Sequence, residues 1–186
     1  MQFQKLLIKI SKKLIKHKIS YMIIGGQAVL LYGEPRLTKD IDITISLDTS
    51  KYHILEKIIK QLKFEIIPEN PKEFVETTFV LPTIDPKTTI RIDFIFSISE
   101  YEKQAFKRVR KININNTPIN YASLEDLIIH KIIAGRQRDI EDIKYILLKN
   151  KEIDNNYINF WLLEFEKLTQ KELKQVFESI KKDVFS

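Results

Sequence analysis

"IIGGQAVLLYGEPRLTKDIDITIS", residues 23–46, decides how the rest of the chain is read. The apolar run "SYMII" that leads into it has the length and composition of a short buried strand, and Gly25 and Gly26 stop it. "QAVLLYG" then reads as a short helix closed by Gly33. "DIDITIS" alternates strictly: Asp40, Asp42, Thr44 and Ser46 share one face of a strand, and Ile41, Ile43 and Ile45 share the other. A chain with only 4 glycines places two of them together at a strand-to-helix junction. There, glycine lets the backbone turn tightly and lets N–H groups face an anion, to which the helix N-terminus adds its partial positive charge. Two carboxylates at i and i+2 lie roughly 6–7 Å apart along a strand and can converge on one cation. Carboxylate oxygens suit a hard ion such as Mg²⁺, which is commonly held by one or two carboxylates together with substrate phosphates.

Outward from this stretch, Phe3, Leu6, Leu7, Ile10, Leu14 and Ile15 recur at helical spacing with lysines opposite, so the chain opens with an amphipathic helix. Tyr52 to Leu62 forms another, with Ile54, Leu55, Ile58, Ile59 and Leu62 on one side. "FEIIP", "TTFVLPT" and "TIRIDFIFS" read as strands. In the last, Ile90, Ile92, Phe94 and Phe96 alternate with Arg91 and Asp93, repeating the design of the first aspartate strand and supplying a third carboxylate. If these strands are neighbours, Asp40, Asp42 and Asp93 form one acidic cluster that calls for a counter-ion. Arg91 shares the face of Asp93 and is placed to neutralise it. Beyond Ser97 the pattern turns helical, apart from a strand in "KININNTPIN". Ser123 with Asp126 reads as a capping box opening "LEDLIIHKIIAG"; "RDIEDIKYILLKN" follows, and Thr169 with Glu172 reads as a further box. The expected fold is α/β (α+β), a mixed β-sheet flanked by helices. Residues 1–122 form the core, and residues 123–186 a helical C-terminal part packed on it.

Composition narrows the partners. The 31 basic and 25 acidic residues leave a net charge of +6, which favours an anionic partner. No cysteine is present, and His17, His53 and His130 have no metal-ligand spacing, so neither a disulfide framework nor a zinc site is expected. The apolar residues of the first helix are interrupted by Lys5, Lys9, Lys12 and Lys13, which is not the pattern of a signal peptide. No run is long enough to span a bilayer, and the expected location is cytoplasmic, with no membrane partner.

Strand, Gly-Gly, short helix and then Asp-x-Asp on a strand, with thirteen residues between Gly26 and Asp40, resembles the signature of the DNA polymerase β-like nucleotidyltransferase superfamily. "RIDF" on a second polar-faced strand adds to the likeness. Within it, "EPRLTKDID" and "LEDLIIHKIIAGRQRDIEDI" look like the AbiEii-type nucleotidyltransferases, many of which are toxins of toxin-antitoxin systems. The resemblance implies a nucleotidyltransferase fold, Mg²⁺ (or Mn²⁺) as cofactor and an NTP substrate. It maps nucleotide-binding roles onto Lys131, Arg136, Arg138 and Asp139. On a continuous helix Lys131, Arg138 and Asp142 would recur on one face. Arg36 and Thr38, on the approach to the aspartates, are read either as phosphate contacts or as loop partners.

The sequence thus predicts transfer of a nucleoside monophosphate to an acceptor with release of pyrophosphate. Asp40, Asp42 and Asp93 hold metal and act catalytically together with Lys131, and Gly25 and Gly26 cradle phosphate. RNA, tRNA among the candidates, is the favoured acceptor because basic residues cluster at Lys107, Arg108, Arg110 and Lys111. A protein side chain or a small molecule is the other acceptor class. A cognate antitoxin would be the protein partner. The alternative is a non-catalytic nucleotide- or nucleic-acid-binding module of a two-protein regulatory pair. Against it stand three carboxylates kept in mutual repulsion.

Overall fold

The computed structural model describes residues 2–97 and 99–185. In chain order the elements begin with α1 (Gln2–Lys16), β1 (Tyr21–Ile23), α2 (Gly25–Tyr32), β2 (Asp40–Ile45), α3 (Tyr52–Leu62) and β3 (Glu65–Ile66). Next come α4 (Pro71–Thr78), β4 (Val80–Ile84), β5 (Arg91–Phe96), α5 (Glu100–Lys107), β6 (Arg110–Ile114) and β7 (Thr117–Tyr121). The chain ends in helices α6 (Leu124–Ala134), α7 (Gln137–Lys149), α8 (Asn155–Glu166) and α9 (Leu173–Phe185). Two compact units result: Met1–Gln27 with Leu37–Ala122, and Ala28–Arg36 with Ser123–Ser186.

The first unit is built on a mixed sheet of order β3-β4-β5-β2-β1-β7-β6. β2 runs parallel to β5 and antiparallel to β1, and β1 runs parallel to β7. The alternation in β2 and β5 explains why they are central. Ile41, Ile43, Ile45, Ile92 and Phe94 are fully buried or nearly so, each contributing roughly 1.5–3 kcal/mol of apolar burial. Helices α1 and α3 pack together and bury Leu6, Leu7, Ile10 and Leu14 of one and Leu55, Ile58, Ile59 and Leu62 of the other. Lys9 Nζ reaches the Leu62 carbonyl, where Lys63 at φ +54 ends α3.

Two elements differ from the sequence pattern for identifiable reasons. Thr77 and Thr78 close helix α4 instead of opening a strand, because their hydroxyls donate back to the Glu73 (3.1 Å) and Phe74 (2.7 Å) carbonyls. "KININNTPIN" is a hairpin and not a single strand: Asn115 at φ +47 and Asn116 at φ +58 make the tight turn that joins β6 to β7.

The second unit is helical. Ser123 caps α6 by accepting from the Asp126 N–H at 3.1 Å, as its spacing predicts. Gly135, at φ +63, ends α6, and α7 starts afresh at Gln137, so the two stretches are separate helices. Leu127, Ile128, Ile143, Ile146, Ile158, Leu162 and Phe177 fill the core between α6, α7, α8 and α9. Thr169 does not form the expected box; its hydroxyl donates to the Phe165 carbonyl at 3.0 Å, at the end of α8. Among the described residues no helix is long and apolar enough to cross a membrane.

Candidate active site

The parallel register of β2 and β5 pairs Asp42 with Asp93 and Asp40 with Arg91. Neighbouring strands lie about 4.8 Å apart, so three carboxylates and one guanidinium occupy a patch three residues long on two adjacent strands. All three aspartates are partly exposed, while the isoleucines between them are buried. The sequence alternation therefore places acid on one face and core on the other.

Gly25 borders this patch. It leaves β1 at φ +60, and the Ile24 N–H bonds the Asp42 carbonyl at 3.0 Å. A Cβ on Gly25 would stand 2.0 Å from Asp42 Oδ2 and 3.0 Å from its Cγ. The glycine is thus required twice, by a left-handed backbone and by the carboxylate that fills the space a side chain would take. Gly26 follows in the first turn of α2. Gln27 Nε2 donates to Thr38 Oγ1, so Thr38 braces the loop before β2 against the start of α2.

Arg91 Nε donates to Asp93 Oδ1 at 2.7 Å, and the Arg91 side chain is 53% exposed. This hydrogen bond raises the guanidinium above its ordinary pKa, and the charges of Asp93, Asp40 and Asp42 raise it further against a smaller opposing effect of desolvation. One cation therefore feels all three carboxylates.

The donor set suits a hard divalent cation: every candidate ligand is a carboxylate oxygen, and the two aspartates of one strand face supply what Mg²⁺ usually takes from a protein. The space that Gly25 leaves open is what keeps the Asp42 carboxylate in the patch. As the side chains stand, with Asp93 turned to Arg91, no group of three His, Cys, Asp or Glu among the described residues is arranged around a metal position.

The second unit gathers a different cluster. Lys131, 4% exposed, donates to Asp139 Oδ1 at 2.9 Å and to Asp142 Oδ2 at 2.6 Å. Asp142 also takes a two-pronged pair from Arg36, Nε to Oδ1 and Nη2 to Oδ2, both at 3.0 Å. Arg136, 77% exposed, bonds Asp139 at 2.6 Å. Burial alone would raise the Asp139 pKa, but hydrogen bonds from Arg136 and Lys131 outweigh it and hold the carboxyl below its ordinary value. Asp139 and Asp142 are three residues apart on α7 and so present one face to Lys131; Arg138 precedes Asp139, leaves that face and stands exposed. The helix break at Gly135 is what lets α7 fold back to meet Lys131 of α6. Asp142 is the residue whose importance the sequence understated. Its signal was the recurrence of Asp139 and Asp142 at helical spacing beside Lys131.

Residues 2–183 match the family described as nucleotidyltransferases of unknown function (DUF6036). The chain belongs to this family. It is a nucleotidyltransferase by family membership, and its mixed sheet and helices have the fold of solved nucleotidyltransferases. It is similar to ANT(2″)-Ia, solved in complex with adenylyl-2″-tobramycin, at 14% identity and a TM-score of 0.59, over 98% of this chain and 99% of that one. It is similar also to an antigenic nucleotidyltransferase-like protein from Paracoccidioides brasiliensis, at 20% identity and a TM-score of 0.56, over 94% of this chain and 91% of that one. A third similar structure is the lincosamide antibiotic adenylyltransferase LnuA, lincomycin-bound, at 15% identity and a TM-score of 0.50, over 72% of this chain and 89% of that one. At these identities the likeness establishes the fold. No curated protein is matched by the sequence.

Proposed function

We propose that this nucleotidyltransferase moves a nucleoside monophosphate from an NTP to a hydroxyl of RNA, using Mg²⁺ (or Mn²⁺) held by Asp40, Asp42 and Asp93. The observation that carries the reading is the register of Asp42 with Asp93 on parallel strands, with Gly25 turned against the Asp42 carboxylate. An acceptor hydroxyl oxygen attacks the α-phosphorus, the bond from that phosphorus to the bridging oxygen breaks, and pyrophosphate leaves with that oxygen. Asp93 takes the hydroxyl proton. The backbone N–H groups of Gly25 and Gly26, at the start of α2, orient the phosphates. A divalent ion on these carboxylates supplies the positive charge that the triphosphate and the developing oxyanions need.

Of the residues that the AbiEii resemblance assigns to the nucleotide, Arg136 and Arg138 are exposed, and Arg136 bonds Asp139. Lys131, Asp139 and Arg36 are committed to the buried cluster with Asp142, and we assign them to holding the helical unit together. RNA is favoured by the net charge and by Lys107, Arg108, Arg110 and Lys111, which fall at the end of α5 and on the edge strand β6. A toxin role with a cognate antitoxin rests on the AbiEii-like blocks. A small-molecule hydroxyl is the second reading, favoured by the likeness in fold to ANT(2″)-Ia, solved in complex with adenylyl-2″-tobramycin.

Incubation with total RNA, Mg²⁺ and each radiolabelled NTP in turn is the test. Label in RNA, lost on Asp42→Asn, is expected. Label only in protein or small molecules overturns the RNA acceptor, and thermal stabilisation by NTP that is equal in EDTA overturns metal-mediated binding.

A further inference from the structure

Three carboxylates packed into one patch repel one another, and a cation beside them offsets that charge. Arg91 is such a cation. It stands opposite Asp40 in the strand register, bonds Asp93 Oδ1 at 2.7 Å through Nε, and belongs to the same strand as the carboxylate it binds. Its side chain is half exposed, so the guanidinium can leave toward water without disturbing the buried face of β5. The Asp93 side chain is 16% exposed with Arg91 in place.

We infer that Arg91 is a built-in competitor for the metal, holding Asp93 out of the coordination set until a divalent cation displaces it. The inference rests on the metal-site reading given above. A cation with two positive charges in the patch is repelled by the guanidinium, and a metal that takes Asp93 through Oδ1 competes with Arg91 for that oxygen. Metal binding there works against the Arg91–Asp93 bond, and the protein's metal affinity is lowered by the strength of that bond. Once released, the guanidinium lies beside a site where a triphosphate arrives, and it can turn its bond from a carboxylate to a phosphate oxygen. Arg91 then makes metal and nucleotide binding mutually supportive: the metal frees the arginine, and the phosphate gives it a new partner.

The test is Mn²⁺ binding to the full chain, read from the loss of the free-ion electron paramagnetic resonance signal, without nucleotide and independent of turnover. Arg91→Gln should bind Mn²⁺ about tenfold more tightly than wild type, the scale of one charged hydrogen bond lost to the competitor. Arg91→Lys, which keeps the charge but not the fork, should fall between them. Asp42→Asn serves as the reference for the site itself. Mn²⁺ affinity of Arg91→Gln equal to or weaker than wild type, in a variant whose circular dichroism is unchanged and with binding abolished by Asp42→Asn, overturns the competitor role and leaves the metal site standing. Binding that survives Asp42→Asn undiminished overturns the metal site, and the inference with it.

Discussion

Gly25→Ala is the sharpest single test of the site, because the structure separates its two costs. The first is conformational: at φ +60 an alanine occupies the left-handed region, at a cost of about 1–2 kcal/mol. The second is steric: the new Cβ would stand 2.0 Å from Asp42 Oδ2, a separation that no relaxation of a tenth or two of an ångström repairs. The carboxylate is the end of a rotatable side chain, so it swings away, at roughly 0.5–1.5 kcal/mol for an off-rotamer position. Folding should lose about 2–3 kcal/mol in all. Transfer should lose more, over about a hundredfold, because the carboxylate on which the proposed chemistry depends has left its place. Asp42→Ala removes the clashing oxygen and leaves Asp42 Cβ, at 3.3 Å, as the near neighbour. In that background Gly25→Ala should cost only the backbone part, about 1–2 kcal/mol. Urea denaturation of the four proteins in this cycle measures the difference directly. If Gly25→Ala costs the same with and without the Asp42 carboxylate, the glycine is there for the turn alone and its link to the acidic site fails.

The elements that position the acidic site could be read from the chain because their signals are local and period-two. Asp40, Asp42, Asp93 and the isoleucines between them announce both strand and face, and Gly25 announces the turn. What stayed hidden depended on partners distant in sequence. Lys131 reads as a cation on an amphipathic helix, and only the return of α7 after Gly135 shows it closed in by Asp139 and Asp142. Arg36 reads as a loop arginine, yet its fork is matched to Asp142, 106 residues away. Helix α5 falls within the helical pattern read beyond Ser97, but its start is not legible there although it is marked: the Ser99 N–H bonds Glu102 at 3.0 Å, an S-x-x-E box that the short, charged run after it obscures. Helix α4 was missed because Thr-Thr favours strands intrinsically, and only the back-bonding of the two hydroxyls reverses that preference here.

The remaining predictions concern the helical cluster. Lys131→Ala should destabilise the protein by roughly 2–4 kcal/mol, because two nearly buried carboxylates lose their shared cation and keep only Arg36 and Arg136 as partners; a chemical-denaturation loss below about 1 kcal/mol would return Lys131 to an exposed, pocket-facing role. Arg136→Ala, by contrast, removes a side chain that is 77% exposed, and its cost should stay within about 1 kcal/mol by the same measurement. The last follows from Asp139, whose carboxyl is held below its ordinary pKa by Arg136 and Lys131 in spite of burial. A depressed folded-state pKa means that the unfolded chain binds the proton more readily, so stability rises with pH across that window. The contribution of Asp139 is complete above the unfolded carboxylate value near ~4 and is lost as pH falls through the folded value. Asp139→Asn, which keeps an acceptor oxygen but cannot ionise, should therefore be less stable than wild type at neutral pH, and the gap should narrow as the solution is acidified below the ordinary carboxylate range. Urea melts of both proteins from neutral to acid pH read this directly. A gap that holds constant or widens toward acid would mean that the ionised form of Asp139 contributes nothing to the fold, and that burial rather than its two cations governs the residue.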